Sequence, residues 1–393
     1  MDFFFSEEQR RLKDQARQIA EEYVLPKRAY YDETEEFPWD MVKVFAQAGL
    51  FECFIAREYG GTGGGVTEMA LVTEELSRVC GGIALAFAGT GLGTYPIILF
   101  GTSEQKAKFL PDIAKGNKLA AFALTEPNAG SDAAGITTSA RLDGNSYVLN
   151  GTKQWITNGG EAEVYTVVAV TDKTRGARGA STFIVEKGFP GFSFGKKEKK
   201  MGIRASATRE LVFEDCRVPK ENLLGKEGMG FIVAMKTFDH TRPGVAAQAV
   251  GIAQGALDEA VSYAKTRLQF DRPISSFQAI QHKLADMATQ VEAARALVYN
   301  VALAIDKGAL KGPKESPMAK LFASEVAVNV TYDAVQIFGG YGYLRDYPVE
   351  KMMRDARITQ IYEGTNQIQK NVIAISLIKE TAKREIGWGR RGL

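Results

Sequence analysis

The chain has 393 residues, of which 45% are hydrophobic and 24% charged, with a formal net charge of +2. That composition describes a soluble globular protein of two or three domains, and the near-neutral charge gives no support for a nucleic-acid or membrane-surface role. Two histidines (His240, His282) cannot make a His-based metal site, and three scattered cysteines (Cys53, Cys80, Cys216) make neither a disulfide framework nor a thiolate zinc site. No metal is expected, and a reducing compartment is.

The N-terminal stretch Met1-Asp2-Phe3-Phe4-Phe5 lacks the basic region and cleavage signal of a secretory or transit peptide. The expected location is the cytoplasm of a bacterium, or the mitochondrial matrix if a transit peptide has been removed. Ser6-Glu7-Glu8-Gln9 is a capping-box pattern, and Leu12, Ala16, Ile19 and Tyr23 follow at helical spacing until Pro26 signals a stop. A second helix fits Pro38 to Ala48, ended by Gly49, and a third fits Thr67 to Val79 beyond the glycine-rich loop 60–65. The apolar run Ile83 to Phe100 approaches spanning length. With Gly89, Gly91, Gly93 and Pro96 inside it, the run reads as a buried helix and a break, not a membrane span. Those glycines lie in a helical stretch with no strand before them, so they are packing and turn glycines, not a dinucleotide fingerprint. Residues 1–118 form an expected all-helical domain.

From Leu119 the texture changes. Short β-rich runs (Ala120–Leu124, Tyr147–Leu149, Val164–Thr171, Ser181–Glu186, Leu211–Phe213) alternate with turn signals, as in a small antiparallel barrel or sandwich over 119–228. Lys196, Lys197, Lys199 and Lys200 mark either a solvated loop or the neighbourhood of a phosphate-bearing ligand. Over 229–393 long apolar stripes return at Ala246–Thr266, Gln278–Lys307, Pro317–Phe338 and Thr365–Lys383, which suits a four-helix bundle. The fold class is therefore α+β and multidomain: helical, then β, then a helical bundle. No low-complexity linker separates the three, so a ligand cleft between domains is expected.

Near the C-terminal end, Ile361-Tyr362-Glu363-Gly364-Thr365 places one carboxylate between an aromatic ring and a glycine. Buried there, Glu363 would have a raised pKa and serve as a proton acceptor near neutrality. On the surface it would be an ordinary helix-start carboxylate stabilised by the helix dipole.

Three further stretches bear on that choice: Phe122-Ala123-Leu124-Thr125-Glu126-Pro127-Asn128-Ala129-Gly130-Ser131-Asp132, Asn150-Gly151-Thr152-Lys153-Gln154-Trp155-Ile156-Thr157-Asn158-Gly159, and Gln336-Ile337-Phe338-Gly339-Gly340-Tyr341-Gly342. With the Glu363 loop and the α–β–α order, the whole chain resembles the acyl-CoA dehydrogenases, of the short- and medium-chain, butyryl-CoA dehydrogenase-like type. The resemblance implies FAD. Phe122, Leu124, Thr125, Ser131, Trp155 and Thr157 match positions at the flavin, where hydroxyls and strand-edge amides hydrogen-bond the ring and Trp155 stacks beside it. It implies that Arg267, Phe270 and Gln278 reach the cofactor of a neighbouring subunit, with Gln336, Gly339, Gly340, Thr365 and Gln367 completing the contacts, and hence a homotetramer built from dimers. Ser131, Asp239, Thr241, Arg242, Tyr362 and Gly364 match the substrate path, and Glu363 the catalytic base.

The implied reaction is α,β-dehydrogenation of an acyl-CoA. Glu363 takes the α-proton as the β-hydride passes to flavin N5, and electrons go on to an electron-transferring flavoprotein. Donors for the enolate-like thioester oxygen would be the amide of Glu363 and a ribityl hydroxyl. Isovaleryl-CoA dehydrogenases carry the base at the position of Thr241, which cannot serve here. An acyl-CoA oxidase, a reductase subunit of a larger flavin complex and a non-catalytic scaffold are the alternatives. Small residues at 84, 86, 88, 89 and 91 either leave room for a larger acyl group or allow close helix packing. Ile83 stands near where glutaryl-CoA relatives carry an arginine, which speaks against a dicarboxylic substrate.

Overall fold

The computed structural model describes residues 5–310 and 312–383. Met1–Phe4 of the N-terminal stretch, and residues 384–393 of the expected last domain, lie outside it. The chain opens with α1 (Glu7–Ile19). Its capping box forms as the sequence predicts: the Gln9 amide donates to Ser6 Oγ at 3.1 Å and the Ser6 amide to Gln9 Oε1 at 2.9 Å, an arrangement worth about 1 kcal/mol. Pro26 does not stop the run. The chain passes through a π turn (Ala20–Val24) and a 3-10 turn (Leu25–Lys27), with the proline in the first turn where no N–H is needed, and continues as α2 (Arg28–Thr34).

After α3 (Trp39–Gln47) come α4 (Val66–Val79), α5 (Gly81–Phe100) and α6 (Ser103–Ala114). The break expected in the apolar run is absent, since α5 is continuous through Gly89, Gly91, Gly93 and Pro96. A Cβ at Gly89 would lie 2.8 Å from Thr157, at Gly91 2.7 Å from the Met69 sulfur, and at Gly93 2.3 Å from the Ala121 backbone. Gly89 and Gly93 let a helix buried on nearly all faces approach the sheet and Gly91 lets it approach α4, and that packing outweighs their poor helix propensity. By length and composition α5 could cross a membrane, but most of it is interior to the protein.

The β region is a single eight-stranded sheet of β1 (Ala120–Ala123), β2 (Ser139–Asp143), β3 (Ser146–Thr157), β4 (Val164–Val170), β5 (Ala180–Glu186), β6 (Phe192–Lys197), β7 (Thr208–Pro219) and β8 (Leu223–Leu224). Seven strands run in the order β6-β7-β3-β2-β4-β5-β8, and β1 adds to β4. Pairing is antiparallel except for β1 on β4 and the single bridge of β2 to β4. The long strands β3 and β7 extend beyond their short apolar cores into partly buried and exposed polar residues, such as Asn150 in β3 and Glu214, Asp215 and Arg217 in β7.

The last region holds α7 (Gly230–Thr266), α8 (Gln278–Asp306), α9 (Glu315–Phe338), α10 (Val349–Ile358) and α11 (Asn366–Lys383). α7, α8 and α9 pack on one another, α11 lies against α9, and α4 lies against α7. One core joins the N-terminal helices to the sheet and a second fills the bundle. The seam between them is where α5, α7 and the edges of β1 and β3 meet.

Candidate active site

Glu363 sits in the turn between α10 and α11. It has φ +49°, left-handed although it is not a glycine, and Gly364 follows at +91°. A side chain at Gly364 would be 2.7 Å from the Gln369 amide. Such a conformation costs on the order of 1–3 kcal/mol and persists where the surroundings fix it. Here they do: the Glu363 carbonyl accepts from Arg242 Nε (3.3 Å) and Gln369 Nε2 (3.1 Å), and the Gly364 carbonyl from Lys320 Nζ (2.9 Å) and Gln369 Nε2 (2.8 Å).

The turn aims the carboxylate at α7, where Thr241 Oγ1 donates to Glu363 Oε2 at 2.9 Å. Glu363 keeps part of its surface but its carboxyl is enclosed by protein. Burial pushes its pKa up to about 7, against the Thr241 hydrogen bond and the charges of Arg242 and Lys320. Among the described residues, no group accepts a hydrogen bond from the Glu363 amide. A poised carboxylate and an unused amide donor thus occupy one residue.

Tyr362 is held from behind by its hydroxyl on Gln248, whose amide donates to the Gly81 carbonyl at 3.0 Å. Arg242 is buried, with its guanidinium 3.8 Å from Asp239 and 5.5 Å from the Phe238 ring centroid. Phe238 meets Phe122 of β1 edge to face at 5.5 Å. That contact joins the Glu363 cluster to the sheet.

On the sheet, a register shift between Lys153 and Ile156 lifts Trp155 out of β3 with φ +57° and leaves its indole 59% exposed. Beneath it, buried Lys153 donates to the Leu124 carbonyl (2.9 Å) and Glu126 (2.7 Å), and the Gln154 amide to the Thr125 carbonyl (2.8 Å). Glu126 also accepts from the Thr137 amide and hydroxyl and the Thr138 amide. Burial would raise the Glu126 pKa, but the charge and hydrogen bond of Lys153 hold it down at about 2. The clamp fixes Leu124 and Thr125 beside Trp155 and Thr157.

Phe122, Leu124 and Thr125 are thus tied to the β3 segment of Trp155 and Thr157, Phe122 touches the Glu363 cluster through Phe238, and Ser131 is exposed in the loop after β1. An exposed, strained indole beside two threonines fits the face of a planar aromatic cofactor. Thr365 immediately precedes α11 and Gln367 lies in its first turn, next to Glu363. Arg267, Phe270, Gln278, Gln336, Gly339 and Gly340 form a separate group at the other end of α7. There Arg267 lies over Tyr341 at 5.2 Å, Phe270 is 87% exposed, and nothing comes within 4 Å of a Cβ placed at Gly339 or Gly340. From Arg242 to Arg267 is about 38 Å along a straight helix. A surface cleft of about 520 Å³ between α4, α7 and α8 contains none of these residues.

Sequence reasoning missed Lys320, Gln369, Gln248 and the Lys153–Glu126 pair. Lys320 left a trace, as a lone charge in the alanine-rich stripe of α9 (Ala319, Ala323, Ala327). The partners of Gln248 and Gln369 have no local signal.

Three family models match in chain order: the acyl-CoA dehydrogenase N-terminal domain over residues 6–117, the middle domain over 121–216 and the C-terminal domain over 228–378. The chain belongs to the acyl-CoA dehydrogenase family. It is 51% identical over 376 residues to the short-chain specific acyl-CoA dehydrogenase of Clostridium acetobutylicum, covering 95% of this chain and 99% of that one. It is also 51% identical over 381 residues to the acryloyl-CoA reductase (NADH) of Anaerotignum propionicum, covering 96% of each. The structure of butyryl-CoA dehydrogenase from Megasphaera elsdenii superposes with a TM-score of 0.94 at 47% identity, covering 96% of this chain and 100% of that one. The chain is thus an oxidoreductase of this family, similar to its short-chain members.

Proposed function

We propose that the protein removes hydrogen from the α and β carbons of an acyl-CoA thioester, with Glu363 as the base for the α-proton. The observation that carries this reading is the Glu363 turn itself. Its carboxylate has a pKa near the operating pH, where a general base is most effective. Among the described residues the amide of the same residue has no acceptor, and it can donate to the thioester oxygen as negative charge develops there. Thr241, on the facing turn of α7, hydrogen-bonds the carboxylate and keeps it directed.

Trp155, Thr157, Thr125, Leu124 and Phe122 would hold the flavin of FAD, which when bound would supply the acceptor for the β-hydride. Arg267, Phe270 and Gln278, with Gln336, Gly339 and Gly340, hold the adenosine end. They lie too far along α7 to reach the flavin beside their own Glu363, so they serve the cofactor of a second copy, and the working particle is an oligomer, a tetramer by resemblance to the family. Ser131, Asp239 and Arg242 line the approach of the CoA chain. The electron acceptor is an electron-transferring flavoprotein. The likeness to an acryloyl-CoA reductase supports a second reading, reduction of a 2-enoyl-CoA, in which Glu363 returns the α-proton; the same residues serve both directions.

Glu363→Gln tests the base. This variant should keep its flavin but lose bleaching by a straight-chain acyl-CoA by a factor on the order of 10² or more. Bleaching at the wild-type rate would remove Glu363 from that role.

A further inference from the structure

Lys320 is fully buried in α9. Its ammonium donates to the Gly364 carbonyl at 2.9 Å and to Asn366 Oδ1 at 3.0 Å. One turn along the same face, Ser324 exchanges hydrogen bonds with the Asn366 side chain at 3.0 and 3.1 Å. Asn366 is the first residue of α11, and its amide donates to the Gln360 carbonyl at 3.0 Å, closing the loop that carries Glu363. A buried ammonium is costly unless its donors are used. Here two of them are spent on Gly364 and Asn366, in the turn just after a strained glutamate, and among the described residues Lys320 forms no direct ion pair.

We propose that Lys320 is a positioning residue for Glu363, anchoring Gly364 and Asn366 to α9 so that the left-handed turn holds the carboxylate against Thr241. This inference rests on Glu363 being the base. Lys320 also supplies one of two cations near that carboxylate. The charged and titratable groups around Glu363 are Arg242 and Asp239 from α7, Lys320 from α9, Tyr362 beside it, and Asp355 of α10 behind Tyr362. Burial draws Lys320 down to about 7, against the pull of Glu363. On the acid side of that value Lys320 is charged and favours the ionised base, so its removal raises the pH at which the base becomes active.

The test compares wild type, Lys320→Met, Lys320→Arg and Glu363→Gln as flavin-loaded proteins, reading flavin content and the pH dependence of kcat and kcat/KM with a straight-chain acyl-CoA. Lys320→Met should retain flavin, lose about tenfold or more in kcat with a much smaller change in KM, and shift its acid limb upward by about one pH unit. Lys320→Arg, which keeps charge and donors, should recover much of the rate and the original limb. If Lys320→Met fails to hold flavin, Lys320→Gln, which keeps a donor without the charge, replaces it, with the same upward shift expected. Neutral variants with wild-type kcat and an unmoved acid limb would overturn the proposal. A Glu363→Gln variant that turns over normally would remove the base assignment beneath it. An inert Glu363→Gln beside an unaffected Lys320→Met would remove the role of Lys320 alone.

Discussion

At the scale of single residues, the site depends on one carboxylate kept out of water. Because burial lifts Glu363 to about 7, kcat/KM should climb with pH through neutrality and level off above it, as the base must be ionised to take a proton. The same shift has a sign for stability. The folded state holds this proton more tightly than the unfolded chain, where the carboxyl titrates near 4.5. The associated stability is complete below that value and is lost as pH rises through about 7. Glu363→Gln should therefore match wild type at pH 4 and exceed it at pH 8 by roughly 1–3 kcal/mol in thermal or urea unfolding; a larger gain at the acid end would contradict the sign. Thr241→Val removes the hydrogen bond that favours the ionised form, so its acid limb should move upward. An unchanged limb would mean that the 2.9 Å contact has no part in setting the base. The sequence placed Glu363 between a ring and a glycine and left two readings open. The deciding partners, Thr241, Arg242 and Lys320, lie 122, 121 and 43 positions away by subtraction of their residue numbers.

At the scale of elements, the edge proposed to face the flavin is set by a buried ion pair. Lys153 and Glu126 are both almost wholly enclosed, and their 2.7 Å contact ties the end of β1 to β3 just where β3 bulges to present Trp155. Removing one partner strands the other as a buried charge. Lys153→Met should thus cost about 3–5 kcal/mol in unfolding experiments and lower flavin occupancy. The double variant Lys153→Met with Glu126→Leu should regain most of the stability while the flavin stays weakly held. Equal losses in single and double variants would show that the pair is not coupled. Local signals worked well here where they were complete: Ser6 with Gln9 closed its capping box, and Gly49 ends α3 in a left-handed conformation. They failed where packing overrode them. Pro26 and Pro96 should interrupt helices, yet the first falls in a first turn and the second inside a helix held on nearly all sides. α10, whose charged residues Lys351 and Asp355 turn inward to pair with each other, lacked an apolar stripe long enough to see.

At the scale of the molecule, the proposed site residues divide between the two ends of α7, and on the proposed reading a single copy would present half of two cofactor sites. The α–β–α order was legible from texture alone, whereas the assignment of Arg267, Phe270 and Gln278 to a neighbouring copy came from family resemblance, since helix length says nothing of which copy a residue serves. Arg267→Glu should leave the monomer fold and its circular dichroism unchanged while flavin occupancy falls. Co-expressed with Glu363→Gln, it should restore activity above either variant alone, because a mixed pair contains one site with both Arg267 and Glu363 intact. No recovery would place Arg267 at the cofactor of its own chain.

The most direct test of the central claim is anaerobic bleaching of the purified yellow protein by straight-chain, branched and cyclic acyl-CoAs, followed by mass analysis of the product. The account predicts loss of the oxidised flavin absorbance with at least one member of the panel, together with a 2-enoyl-CoA two hydrogens lighter than the substrate. A protein that carries no flavin and takes none up, or a flavin that no acyl-CoA reduces, would contradict it.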